Sequence, residues 1–124
     1  MAKYSEQYGS LRQEWLGGIP AFVCTARTAN GIVPADVTNV DHAGQIVGIT
    51  TESGPQNDMV MVHLSGLVYF PTPVFGVTRG PVMIGPTGTF VTTLPAGSRF
   101  VQQAGIIIGS SELLLNLDST ITLI

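Results

Sequence analysis

The sequence predicts an all-β domain: a small antiparallel β-barrel or sandwich with a short N-terminal arm or helix. Three observations carry this prediction. Apolar stretches of four to seven residues, rich in Val, Ile, Thr and Phe, recur along the chain; these are strand lengths and strand residues. Fifteen glycines and eight prolines separate them at short intervals, which is the punctuation of turns. No long helical segment lies between the strands, so antiparallel pairing is favoured over parallel βαβ units.

The elements follow in order. The chain divides into an N-terminal arm, residues 1–18, and a single β-barrel domain, residues 19–124. In the arm Tyr4, Tyr8, Leu11 and Trp15 recur at spacings of four, three and four, which places them on one face of a helix. Gly9 and Ser10 weaken that helix by about 1 kcal/mol relative to Ala, so an extended arm is the alternative. Either form orders only by docking its aromatic stripe, on its own barrel or on a neighbouring subunit. Gly17-Gly18 ends the segment, and Ile19-Pro20 opens the barrel.

Strands are expected at residues 21–26, 31–34, 46–50, 59–64, 67–70, 82–84, 89–92, 105–108, 112–117 and 120–124. In Met59-Val60-Met61-Val62-His63-Leu64, alternation puts Met59, Met61 and His63 on one face and Val60, Val62 and Leu64 on the other. Both faces are largely apolar, so this reads as a central strand covered on both sides. Further on, Leu113, Leu115 and Leu117 point one way while Glu112, Leu114, Asn116 and Asp118 point the other, the pattern of a half-buried strand. Ile121, Leu123 and Ile124 are too apolar for a free tail, and the C-terminus is expected to be tucked in.

Composition limits the functions open to this chain. Hydrophobic residues make up 44% and mean hydropathy is +0.37, which excludes general disorder. No apolar run approaches the roughly 18 residues of a membrane helix. The first fifteen residues carry no apolar core, so no secretory signal is expected. With a net charge of −3, one lysine (Lys3) and scattered arginines, the chain has no basic stripe to neutralise phosphates, which argues against nucleic acid. Cys24 is the one cysteine; it fits a reducing cytosol and, in an apolar run, reads as a small buried hydrophobe.

Charge is also unusually sparse. Only 10% of residues are Asp, Glu, Lys or Arg, against about 25% in an ordinary soluble domain. Four of the thirteen (Lys3, Glu6, Arg12 and Glu14) fall in the arm. A surface built from Gly, Thr, Ser, Pro and apolar residues is either neutral and polar or covered by other subunits. Assembly is the expectation.

Catalytic chemistry is hard to place. His42 and His63 lie far apart, with no Cys or third His to complete a metal site. His42 follows Asp41 in a turn and reads as hydrogen-bonded to it, while His63 reads as a packed or interface residue. Ser53 and Ser65 lack a Gly-x-Ser-x-Gly elbow. Asp36 with Asp41, or Glu52 with Asp58, lack signs of the burial that acid–base pairs need. The stretch from Gly80 to Gly88 is Gly-rich but has no Gly-Lys-Ser/Thr to hold phosphates; its prolines read as turns flanking a short edge strand. No catalytic, cofactor-binding or metal residue is assigned, and no enzyme activity is expected.

A resemblance enters with four stretches. They are Asp41-His42-Ala43-Gly44-Gln45-Ile46-Val47-Gly48-Ile49-Thr50; the strand 59–64 with Ser65-Gly66-Leu67-Val68; Gly80-Pro81-Val82-Met83-Ile84-Gly85 with Gly88; and Phe100-Val101-Gln102-Gln103-Ala104-Gly105-Ile106. From about Ala21 to Ile124 this series resembles small virion proteins of tailed bacteriophages, of the head decoration (cement) or head-fibre base type. Its motifs are turns and strand starts, not a chemical signature.

The resemblance implies a small β-barrel that forms homotrimers on the outer capsid surface and binds the major capsid protein, locking neighbouring capsomers. Such a protein is made in the host cytoplasm and resides in the virion, with an arm that reaches the capsid or the next subunit. Tyr4, Tyr8, Leu11 and Trp15 are the residues expected to make that contact, although no family motif maps onto them. An alternative reading is a receptor- or glycan-binding fibre or tail module on the same barrel. There Tyr69, Phe70 and Phe75, around Pro71-Thr72-Pro73, form an aromatic platform, unless the hairpin's aromatics instead cap the barrel.

Overall fold

A computed structural model describes residues 7–12, 18–71, 73–75, 80–118 and 120–123; the side chains of Gln7, Tyr8 and Thr122 lie outside the description. The fold is all-β, an antiparallel sheet curled into a half-barrel. Its strands are β1 (Gln7–Arg12), β2 (Cys24–Thr28), β3 (Gly31–Pro34), β4 (Ile46–Thr50), β5 (Met59–Tyr69), β6 (Gly80–Ile84), β7 (Phe90–Val91), β8 (Phe100–Val101), β9 (Gln103–Gly109), β10 (Glu112–Leu115) and β11 (Ile121–Thr122). A single 3-10 turn, Val40–His42, lies between β3 and β4. The main sheet runs β3-β2-β4-β5-β10-β9-β6-β7, with β1 added to β5, and β8 and β11 form a separate pair.

The long strand β5 organises the sheet. Val62 and His63 pair with β4 and also with β1, so β1 and β4 occupy opposite edges. Residues 66–69 pair with β10. Separate strands at 59–64 and 67–70 were the expectation from sequence; in the structure they are one strand, because Ser65-Gly66 continues the ladder instead of turning. Gly66 has φ +101° and still pairs with Leu115. The alternation changes phase there: Val60 and Val62 enter one core and Val68 the other. A glycine is suited to such a reversal, because its φ is closed to most other residues.

β1 belongs to the same sheet. Its register runs from Gln7 opposite Ser65 to Arg12 opposite Met59. Within residues 7–12 the extended alternative is therefore realised and the helical one is not. The physical reason is a template: β5 offers a row of N–H and C=O groups, whereas a short helix carrying Gly9 and Ser10 has little to hold it. At its far end Arg12 packs on the backbone of Gly31, leaving no room there for a Cβ. The path β3-β2-β4-β5-β1 thus curls until its two ends meet.

Two apolar cores result, one on each side of β2, β3 and β4. The smaller contains Ile19, Ile32, Val60 and Val62, with Leu11 and Val47 packed on it. The larger joins Cys24, Ala26 and Ile49 to Val82, Ile107 and Leu115 of the second half of the sheet.

Other expectations are corrected in detail. The first barrel strand begins at Cys24, not at 21, because Phe22 has φ +61° and turns the chain. β6 is not an edge strand, since β7 and β9 flank it; β7 covers only Met83 and Ile84, so among the described residues that side has no strand partner at Pro81, which has no N–H to donate. Met59 and Met61 are exposed, so only the Val60/Val62 side of that strand is fully covered there. At the C-terminus Ile121 and Leu123 are exposed, although the backbone is tied through β11 and through the Leu123 N–H donating to the Arg99 carbonyl at 2.9 Å.

Candidate functional site: an apolar outer sheet face

Three pairings align one row of side chains across four strands. Pro81 of β6 stands opposite Ile106 of β9, Ile106 opposite Leu114 of β10, and Leu114 opposite Leu67 of β5. Cross-strand partners share a face, and here the face is the outer one. On the inner side of the same strands Val82, Ile107, Leu113, Leu115 and Val68 are buried. Ile106 is 45% exposed, Ile108 two residues on is 38% exposed, and Tyr69 is 61% exposed. Leu67 and Leu114 are half-buried by their neighbours.

The electrostatics of this face are simple. β6, β9, β10 and residues 66–69 contain a single charged residue, Glu112, which pairs with Tyr69. An outer face of Pro, Ile, Leu and Tyr with one carboxylate offers little for a polar ligand or a reaction. It offers area for another apolar surface. Fully burying one large apolar side chain is worth about 1.5–3 kcal/mol.

The residues singled out in the sequence fall elsewhere. Tyr4 and Trp15 lie outside the described residues. Tyr8 pairs with His63 in β1, and Leu11 pairs with Val60. The Leu11 side chain is half-buried against the chain's own smaller core.

Tyr69, Phe70 and Phe75 do not share a platform. Phe70 is buried in the larger core, with Phe75 edge-on at 5.5 Å and Phe22 and Phe90 at 5.7 and 6.3 Å between ring centroids. Tyr69 is exposed apart from them. Phe70 and Phe75 thus pack into the larger core, and Tyr69 does not join them.

The polar candidates are absorbed by local structure. His42 is buried, and its Nδ1 accepts the Asp36 N–H at 3.0 Å; burial lowers its pKa below the ordinary 6.5 against the opposing pull of Asp36 and Asp41. His63 is buried. Asp36 Oδ1 accepts from the Thr38 N–H and hydroxyl, and Glu52 Oε1 accepts from the Met61 N–H. Burial pushes the Cys24 thiol up to about 12. Among the described residues no three His, Cys, Asp or Glu side chains gather where they would hold a metal ion.

Sequence reasoning placed strands on this face without recognising the face itself. Ile106-Ile107-Ile108 is apolar at every position, so period-2 alternation is invisible in it. Only the register of β9 against β6 and β10 separates the outward Ile106 and Ile108 from the inward Ile107. Comparison with known protein families, characterised proteins and solved structures finds no match.

Proposed function

We propose that this protein is a structural assembly module. It joins copies of itself and coats a larger protein shell through apolar surface. The observation that carries this reading is the Pro81–Ile106–Leu114–Leu67 row, an apolar line across four strands, exposed at Pro81 and Ile106 and half-buried at Leu114 and Leu67, in a chain with only 10% charged residues. Isolated exposed hydrophobes are ordinary, but a registered row is a patch, and patches of this kind mark protein contacts.

For the particular shell, we propose a bacteriophage head, with the protein acting as a decoration (cement) protein on the outer capsid surface and the major capsid protein as its partner. The support for this finer reading is the resemblance of residues 21–124 and the fit of a rigid, sparsely charged barrel to the task. A cement protein contacts several subunits at once, so modest contacts multiply by avidity. Apolar contacts of this kind are insensitive to salt.

Two measurements test the proposal at its two levels. Sedimentation of the wild type is expected to give an oligomer, and Ile106→Asp, which places a carboxylate in the row, to shift it to the monomer with its fold intact. A monomeric wild type at high concentration would remove assembly altogether. Mixing purified protein with undecorated heads is expected to give a regular lattice of added density that survives molar salt; bare heads would remove the capsid reading.

A further inference from the structure

The segment between β3 and β4 is gathered around one imidazole. His42 is 8% exposed, and the Asp36 N–H donates to its Nδ1 at 3.0 Å. A ring nitrogen accepts only when it carries no proton, so Nδ1 is unprotonated, and the Asn39 side-chain amide lies 3.4 Å from Nε2 on the other side of the ring. The rest of the segment closes on itself: the Asp41 N–H donates to Asn39 Oδ1 at 3.0 Å, and the Gln45 N–H donates to the His42 carbonyl at 3.0 Å.

This loop also joins three other parts of the molecule. The Arg27 N–H of β2 donates to the Gln45 carbonyl at 2.8 Å, the Val37 N–H donates to the Gly85 carbonyl after β6 at 3.2 Å, and the Arg99 N–H before β8 donates to the Val37 carbonyl at 2.8 Å. Asp36, which the ring holds, is the immediate neighbour of Val37.

We infer that His42 is an acid-operated latch: a proton on Nδ1 turns it from acceptor to donor, sets it against the Asp36 N–H, and frees the loop from its junction with β2, Gly85 and Arg99. The inference stands on this hydrogen-bond geometry and does not depend on the assembly reading. The charged groups around the ring are Asp36 and Asp41 from its own loop and Arg27 of β2, which lines the same open cavity. The two carboxylates favour the imidazolium and burial opposes it; burial is the larger effect. The folded ring therefore binds a proton less readily than the unfolded one. The contribution of His42 is complete above pH 6.5, the ordinary value, and is lost as the pH falls below it.

The test is amide exchange by NMR on the intact chain between pH 7.5 and 5.0. Protection factors at Asp36 and Val37 are expected to drop about tenfold, the size of one lost buried hydrogen bond, while that of Val62 in β5 holds. In His42→Asn, whose Oδ1 takes the place of Nδ1 and accepts at every pH, the drop is expected to vanish. The His42 ring resonances of the wild type give a second readout, and their midpoint is expected to coincide with the loss of protection. Protection that stays flat in the wild type, falls equally in His42→Asn, or falls at a pH well apart from the ring's midpoint would overturn the latch.

Discussion

Thr50 holds Phe22 in a backbone conformation that bulky residues avoid. The Phe22 N–H donates to the Thr50 carbonyl at 2.7 Å, and φ at Phe22 is +61°. The Thr50 hydroxyl donates to the Pro20 carbonyl at 2.9 Å and accepts the Val23 N–H at 3.1 Å. A left-handed phenylalanine costs on the order of 1–3 kcal/mol and persists only where its surroundings over-determine it. Here the reward is the Phe22 ring, delivered against Phe70.

Removing that hydroxyl therefore tests the turn. Thr50→Val keeps the side chain's shape and leaves the Val23 N–H and the Pro20 carbonyl without it. The expected loss is about 1–3 kcal/mol of unfolding free energy, read by denaturant titration with an unchanged slope. An unaltered midpoint would mean that the turn stands without Thr50.

Two glycines separate steric from conformational cost. A Cβ at Gly105 would press on the Leu114 carbonyl and lie 3.2 Å from Leu115 Cα, backbone that cannot yield. At Gly44, φ is +75° and no atom lies within 4 Å, so only the left-handed backbone opposes a side chain. Gly44→Ala is expected to cost about 1–2 kcal/mol, and Gly105→Ala more than that, because β9 and β10 must move apart. Thermal melts of the two variants decide it; equal losses would place the Gly105 contact in error.

Cys24 is expected to be inert in the folded protein. Its thiol is fully buried and pushed up to about 12 by burial, so almost no thiolate exists at pH 8. A thiol reagent at pH 8 should label the native chain only at its opening rate, and the denatured chain as fast as a free thiol. Rapid native labelling would contradict the packing around β2.

The parts of this fold that were legible in the sequence are those bounded by strong local signals. β3 and β4 fall at 31–34 and 46–50, where Gly, Pro and turn residues close both ends of an apolar run. The inward Leu113 and Leu115 were legible because Glu112 and Asn116 mark the other face. Elsewhere local signals misled. Ser65-Gly66 looks like a turn, yet pairing on β5 carries the strand through it. Tyr8 and Leu11 sit at helical spacing, yet the edge of β5 recruits their backbone. β8 is two residues long and held by pairing with β11, which no window on the sequence reveals. The candidate face depends wholly on register, a tertiary property, and so had no local signature.

The pairing of β1 with β5 also sets a timetable. During synthesis Gln7 through Arg12 leave the ribosome early but wait for Met59 through Ser65 before they have anything to bond. Closing a loop of that span is an entropic cost met before any contact rewards it. The strand that adds Leu11 to the smaller core is therefore made before its partner and settled after it. Until then the smaller core around Val60 and Val62 lacks Leu11, which makes the nascent chain's most vulnerable interval the one just before its two ends of sheet join.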